Sequence, residues 1–170
     1  CQQLVTDPGG DEPQIEEDNG LKYWGGSFND EGHGVYETAD GGYAVVGYQY
    51  TSALHQKDLL LVKFSSSLEF ENNTTYSGAS DSSYNEVAND IQQTGDGGYV
   101  LVGETFNGMD YDVLIVKFNT DLTLAWQDTI KGAYNDTGSS IQQTQDGGFV
   151  VCGTSFDGND EDIMLWKINI

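Results

Sequence analysis

Apolar positions along this chain come in short runs rather than long stretches. Leu59-Leu60-Leu61-Val62, Val113-Leu114-Ile115-Val116 and Phe149-Val150-Val151-Cys152 are each the length of one β-strand. None approaches the ~18 residues of a membrane-spanning helix. The segments Asp58–Lys63 and Asp112–Lys117 are apolar on both alternating faces, with Leu59 and Leu61 on one side and Leu60 and Val62 on the other. A strand of that kind lies between two packed layers.

These runs recur with a fixed punctuation. Thr38-Ala39-Asp40-Gly41-Gly42-Tyr43, Thr94-Gly95-Asp96-Gly97-Gly98-Tyr99 and Thr144-Gln145-Asp146-Gly147-Gly148-Phe149 are three copies of Thr-x-Asp-Gly-Gly-aromatic. Asp-Gly-Gly between β-rich runs predicts a hairpin turn, because glycine accepts positive φ without steric cost. Each copy then reaches a glycine at the same offset (Gly47, Gly103, Gly153) and an Asp-to-Lys segment (58–63, 112–117, 162–167). Upstream, Asn29, Asn85 and Asn135 also align. The hairpin supplies strands a and b, the Asp-to-Lys segment is strand c, and strand d follows at Leu68–Tyr76 and Leu122–Ile130.

Four strands in a unit of roughly fifty residues match a propeller blade. The run of Asp-Gly-Gly-Tyr, apolar strand, Gly, Asp, apolar strand and Lys-Phe, with Trp126 and Gly132 beyond, resembles the bacterial DGGY-type β-propeller repeats of secreted and cell-surface proteins. The resemblance spans residues 21–170. It implies an all-β fold of three four-stranded blade-like repeats at about 27–78, 79–132 and 133–170, with 21–26 as a closing strand. It implies no particular activity, since the fold hosts many.

Propellers have ~4–8 blades, and this sequence supplies three. The third repeat reaches Ile170 without a strand d, while Leu21–Gly25 aligns with the end of one. Three arrangements answer the deficit. Two chains form a six-bladed ring, further sequence or another protein covers the open faces, or the three units form a β-trefoil instead.

Charge narrows the partners. The net charge is −22, with six lysines and no arginine. Nucleic acid is excluded as a partner, because phosphate binding needs clustered cations. Of the two cysteines, Cys152 occupies the strand position of Val46 and Val102 and is expected to be a buried small hydrophobe. Cys1 heads a polar, acidic stretch (2–20) that holds both prolines and is expected to be a solvated tether. Cys followed by such a stretch resembles a processed bacterial lipoprotein. That resemblance implies acylation at Cys1 and an outer-membrane location facing the cell exterior, anchored without spanning.

Candidate chemistry is sparse. The Asp–Lys segments repeat in every unit, so a structural ion pair or backbone bond is expected there rather than catalysis. Acidic loops after strand b place Asp110 and Asp112, and then Asp157, Asp160 and Asp162, close together. Carboxylates of that density with glycine are candidate Ca²⁺ ligands. The first repeat has His55 and Lys57 there instead. His33 and His55 lie in different loops with no cysteine nearby, which argues against zinc. Tyr48, Tyr50, Phe106, Tyr111 and Phe156 fall at or near the end of strand b and form a candidate binding rim, suited to a sugar or a protein partner. The expected function is a surface module that binds or scaffolds protein. A glycan-binding module comes second and a hydrolase third; no catalytic residue stands out.

Overall fold

The computed structural model describes residues 14–18, 21–50, 56–78 and 85–169. These residues form strands and no helix. After β1 (Gln14–Asp18) and β2 (Leu21–Gly25), the chain makes three antiparallel sheets. Sheet I is β3 (Asp30–Glu37), β4 (Tyr43–Tyr50), β5 (Lys57–Phe64) and β6 (Phe70–Tyr76). Sheet II is β7 (Glu86–Gln93), β8 (Tyr99–Phe106), β9 (Tyr111–Phe118) and β10 (Leu124–Ile130). Sheet III is β11 (Asp136–Gln143), β12 (Phe149–Phe156) and β13 (Glu161–Ile168). Every sheet is a simple meander within its own repeat. A trefoil would instead pool strands from all three repeats in one barrel.

The Asp-Gly-Gly turns behave as their residues require. The Thr38 amide donates to the Gly42 carbonyl and the Gly41 amide returns to the Thr38 carbonyl, at 2.9 and 2.8 Å. The same pair of bonds recurs at Thr94 and at Thr144. Gly41, Gly97 and Gly147 sit at φ of +81°, +82° and +88°, where a Cβ would strain the backbone. A second glycine position has another cause. A Cβ on Gly47, Gly103 or Gly153 would lie 1.8, 1.9 or 1.9 Å from a carbonyl oxygen of the neighbouring strand. At that level the ladder slips by one residue, between Gly32 and Gly34, Ala88 and Asp90, and Gly138 and Ser140. The bulge brings the two backbones together and leaves His33, Asn89 and Ser139 outside the pairing.

The sheets pack face to face in sequence order. Ala44, Val46, Leu59 and Leu61 of sheet I meet Tyr99, Leu101, Leu114 and Val116 of sheet II. Val100, Val102, Val113 and Ile115, on the other face of sheet II, meet Ile141, Phe149 and Val151 of sheet III. Sheet II is thus covered twice, and β9 is buried from Asp112 through Phe118. The two-faced apolar pattern of strand c is explained by that position.

Sheet III is covered once. Ile163 and Leu165 are 94% and 73% exposed. Cys152 is exposed too, contrary to the burial expected from its equivalence with Val46 and Val102. The equivalence holds, but among the described residues no sheet lies over that face of sheet III. Leaving Ile163 and Leu165 in water forgoes roughly 1.5–3 kcal/mol each.

Two further expectations change. Residues 2–20 are not wholly outside the folded part, because Gln14–Asp18 pairs along the whole of β2. An unpaired strand edge recruits nearby backbone even when its sequence is acidic. Accordingly, Leu21–Gly25 is bonded to β1 and not to the third repeat.

Gly103→Ala is expected to lower stability by ~3 kcal/mol, since the clash is with backbone that cannot rotate away. Thermal or denaturant unfolding measures it, and a loss no greater than that of an ordinary surface glycine would remove the close-approach explanation.

Candidate binding surfaces

The candidate rim lies at one end of the sheets, where strand b hands over to strand c. Its aromatics are paired more than displayed. Tyr48 is buried; its ring meets Tyr50 edge-on at 5.5 Å and His33 at 5.6 Å. The Lys57 ammonium lies 4.0 Å from the ring centroid. The Tyr48 hydroxyl donates to the Glu31 carboxylate, and this bond with burial holds the phenol well above its ordinary range. Phe106 pairs with Tyr111 at 5.2 Å, and Phe156 with Tyr134 at 5.6 Å. Tyr134 is 47% exposed and is absent from the rim read in the sequence. It precedes strand a, so no pattern in strand b pointed to it.

The acidic loops differ from each other. In the second repeat Asn107 organises the loop, donating to the Asp110 carboxylate and, at 2.9 Å, to Asp112. Its own side-chain oxygen accepts the amides of Met109 and Asp110. Asp112 is buried beneath, with one carboxylate oxygen unpartnered among the described residues. In the third repeat Asp157 accepts the amides of Asn159 and Asp160, which lowers its pKa. Oxygens of Asp157, Asp160 and Asp162 lie within 4.8 Å of one another, all on exposed residues. Three single carboxylate oxygens would fill half or less of a calcium shell of six to eight.

The lysines of strand c have a different partner from the aspartate of their own segment. Residues 58 and 63 are five apart, so on a strand they face opposite sides. Lys63 instead reaches Asp40 of the turn at 2.7 Å, Lys117 reaches Asp96 at 3.1 Å, and Lys167 reaches Asp146. Each aspartate also accepts the turn threonine hydroxyl and a glycine amide. The Thr94 hydroxyl, then the Gly98 amide and Lys117, hold Asp96 at about 2. Lys167 and Thr144 hold Asp146 at about 2. The lysine thus ties strand c to the a–b hairpin of the same sheet.

An acid at the start of strand a was missed. It follows the aligned asparagine in every repeat, as Asp30, Glu86 and Asp136, and that adjacency was the available signal. Glu86 is 1% exposed; Thr105 donates to one oxygen at 3.2 Å and the other has no partner among the described residues. Burial pushes its pKa up to about 7, with the Thr105 bond opposing and the charge of Asp58 adding. Asp136 is likewise buried, with one oxygen unpartnered among the described residues.

The seams between sheets repeat three bonds. The Asn85 side-chain oxygen accepts the Lys57 amide at 3.0 Å, and Asn135 accepts the Tyr111 amide at 3.0 Å. Gln93 accepts the Ala39 amide at 2.8 Å, and Gln143 accepts the Gly95 amide at 2.9 Å. The bulge residues also reach across, His33 Nδ1 to the Ala88 carbonyl at 3.0 Å and Asn89 to the Gly138 carbonyl at 2.9 Å. Each asparagine is held the same way, its carbonyl accepting the amide of Tyr50, Phe106 or Phe156. No known protein family matches the chain, and no curated protein matches it either.

Glu86 carries a pH signature. Its folded pKa lies above the ordinary 4.5, so the folded protein holds that proton more tightly than the unfolded chain does. The associated stability is fully present below about 4.5 and is lost as pH rises through about 7. Glu86→Gln is therefore expected to raise stability by ~1–3 kcal/mol above that range and to change little in acid. Unfolding curves at both ends of the range test this; a gain that is the same in acid and base would contradict it.

Proposed function

We propose that this chain is a β-propeller-type scaffolding module at the outer-membrane surface, which binds another protein through the outward face of its third sheet. Two four-stranded meanders and one three-stranded meander, with strand a of each later sheet against the preceding sheet, support the blade-like description. One observation carries the functional part. Cys152, Ile163 and Leu165 are exposed, whereas Val46, Leu59 and Leu61 in sheet I, and Val102, Val113 and Ile115 in sheet II, are at most 1% exposed. A contiguous apolar sheet face in water marks an interaction surface. A face of aliphatic side chains without a ring among Cys152, Ile163 and Leu165 suits protein better than sugar.

The aromatic rim supports a glycan less well, because its rings pack edge-on or tilted against one another and Tyr48 spends its hydroxyl on Glu31. The dense negative charge is consistent with a soluble, surface-held module that stays off anionic lipid.

A photo-crosslinking side chain at position 165, expressed in the native membrane, is expected to form a covalent adduct with protein. The same probe at Asn119, on an exposed turn, is expected to form none. Labelling of water alone from position 165 would end the protein-binding reading.

A further inference from the structure

We propose that the partner on that face is a second copy of this chain, seated head to tail so that sheet III of each copy packs on sheet I of the other. The inference rests on the protein-binding reading above and names its partner.

The first support is that both halves of the contact already exist in the molecule. Val150, Cys152, Ile163 and Leu165 hold the positions of Val100, Val102, Val113 and Ile115, which receive the following sheet. Sheet I offers Val45, Leu60, Val62 and Phe64, the equivalents of Leu101, Leu114, Val116 and Phe118, which receive the preceding sheet. These residues line a cleft of about 230 Å³ with Trp24 and Lys22 of β2.

The hydrogen bonds of the seam agree. Each of the three bonds occurs twice within the chain, and the sequence holds one more donor and acceptor for each at its two ends. The Glu161 amide corresponds to those of Lys57 and Tyr111, and Asn29 to Asn85 and Asn135. The Gln145 amide corresponds to those of Ala39 and Gly95, and Glu37 to Gln93 and Gln143. Ser139 corresponds to His33 and Asn89, and the Gly32 carbonyl to those of Ala88 and Gly138. Every donor lies on sheet III and every acceptor on sheet I. Asn29 is held by the Tyr50 amide, as its equivalents are by theirs, so it is set to accept. Glu37 replaces a glutamine with a carboxylate, which accepts more strongly.

The strand count agrees as well. Among the described residues β13 pairs with β12 alone, whereas β5 and β9 pair on both edges. β2 stands to sheet I as β6 stands to sheet II. Lys22 and Trp24 meet Glu69 and Phe70, and Thr74–Tyr76 border Leu122, Leu124 and Gln127. β2 is therefore placed as the fourth strand of a sheet preceding sheet I, and the β13 of a second copy fills the place beside it. Two copies give six units, the one multiple of three within the ~4–8 of a closed ring. Two head-to-tail contacts then close on each other and leave no open end. Like charge opposes the association, so added salt favours it.

Light scattering on the purified 170-residue chain with Cys1→Ser, which removes any lipid at that position, tests the proposal. With rising protein concentration and salt, the mass is expected to approach twice 18.5 kDa. Leu165→Glu and Ile163→Glu are expected to hold it at 18.5 kDa without lowering the unfolding temperature, because both residues face water in the single chain. The Cys152 thiol is expected to react with maleimide much more slowly in the associated protein than in Leu165→Glu. A mass of one copy throughout, a mass growing past two, or a dimer indifferent to both variants overturns the inference. One copy in solution with a foreign adduct from position 165 in the membrane leaves the protein-binding reading standing; one copy with no adduct removes both.

Discussion

A strand that is apolar on both faces has to be covered twice, and the architecture follows from meeting that demand. β5, β9 and β13 all carry the pattern. β9 meets it fully, between sheets I and III. β5 meets it with sheet II on one side and the β2 region on the other, so Leu60 and Val62 are 5% and 2% exposed. β13 meets it on one side only. In stacked repeats of this kind stability resides largely in contacts between neighbours, and a unit with an apolar face in water calls for a cap or a partner.

The polar residues serve the same stacking. The turn aspartate gathers a threonine hydroxyl, a glycine amide and a lysine, which keeps each sheet rigid at the end where its hairpin turns. The bulge glycine lets strands a and b approach and frees one residue to reach the next sheet. Asparagine and glutamine accept backbone amides across the seam. Rigid sheets with directional seams fix the angle between units, where apolar contact alone would let them slide. The cost is buried acid at the head of strand a, where Glu86 and Asp136 each keep an oxygen without a partner.

Much of this was legible in the sequence, since the relevant signals are local. The Asp-Gly-Gly hairpins, the extent of strand c and the meander order follow from turn chemistry and alternation. What was not legible depended on neighbours. Strand c announces that it needs cover on both faces but not what supplies it, so Cys152 looked buried by analogy with Val46 and Val102. The lysines looked paired within their own strand because sequence distance hides the turn that folds Asp40, Asp96 and Asp146 back onto them. Tyr134 was missed because it joins Phe156 from the other end of the repeat. β1 was missed because its residues read as a solvated tail, and an open strand edge decided otherwise. Among the candidate sites, the structure turns the rim inward on itself and brings together three carboxylates in one acidic loop.

The central claim is that the face and edge of sheet III are one half of a seam already used twice inside the chain. Amide hydrogen exchange, followed strand by strand as protein concentration rises, tests it most directly. The account predicts that the β13 amides pointing away from β12, fast in dilute protein, become as protected as those of β9, while exchange in β9 itself stays unchanged. Exchange in β13 that remains fast at every concentration would contradict it.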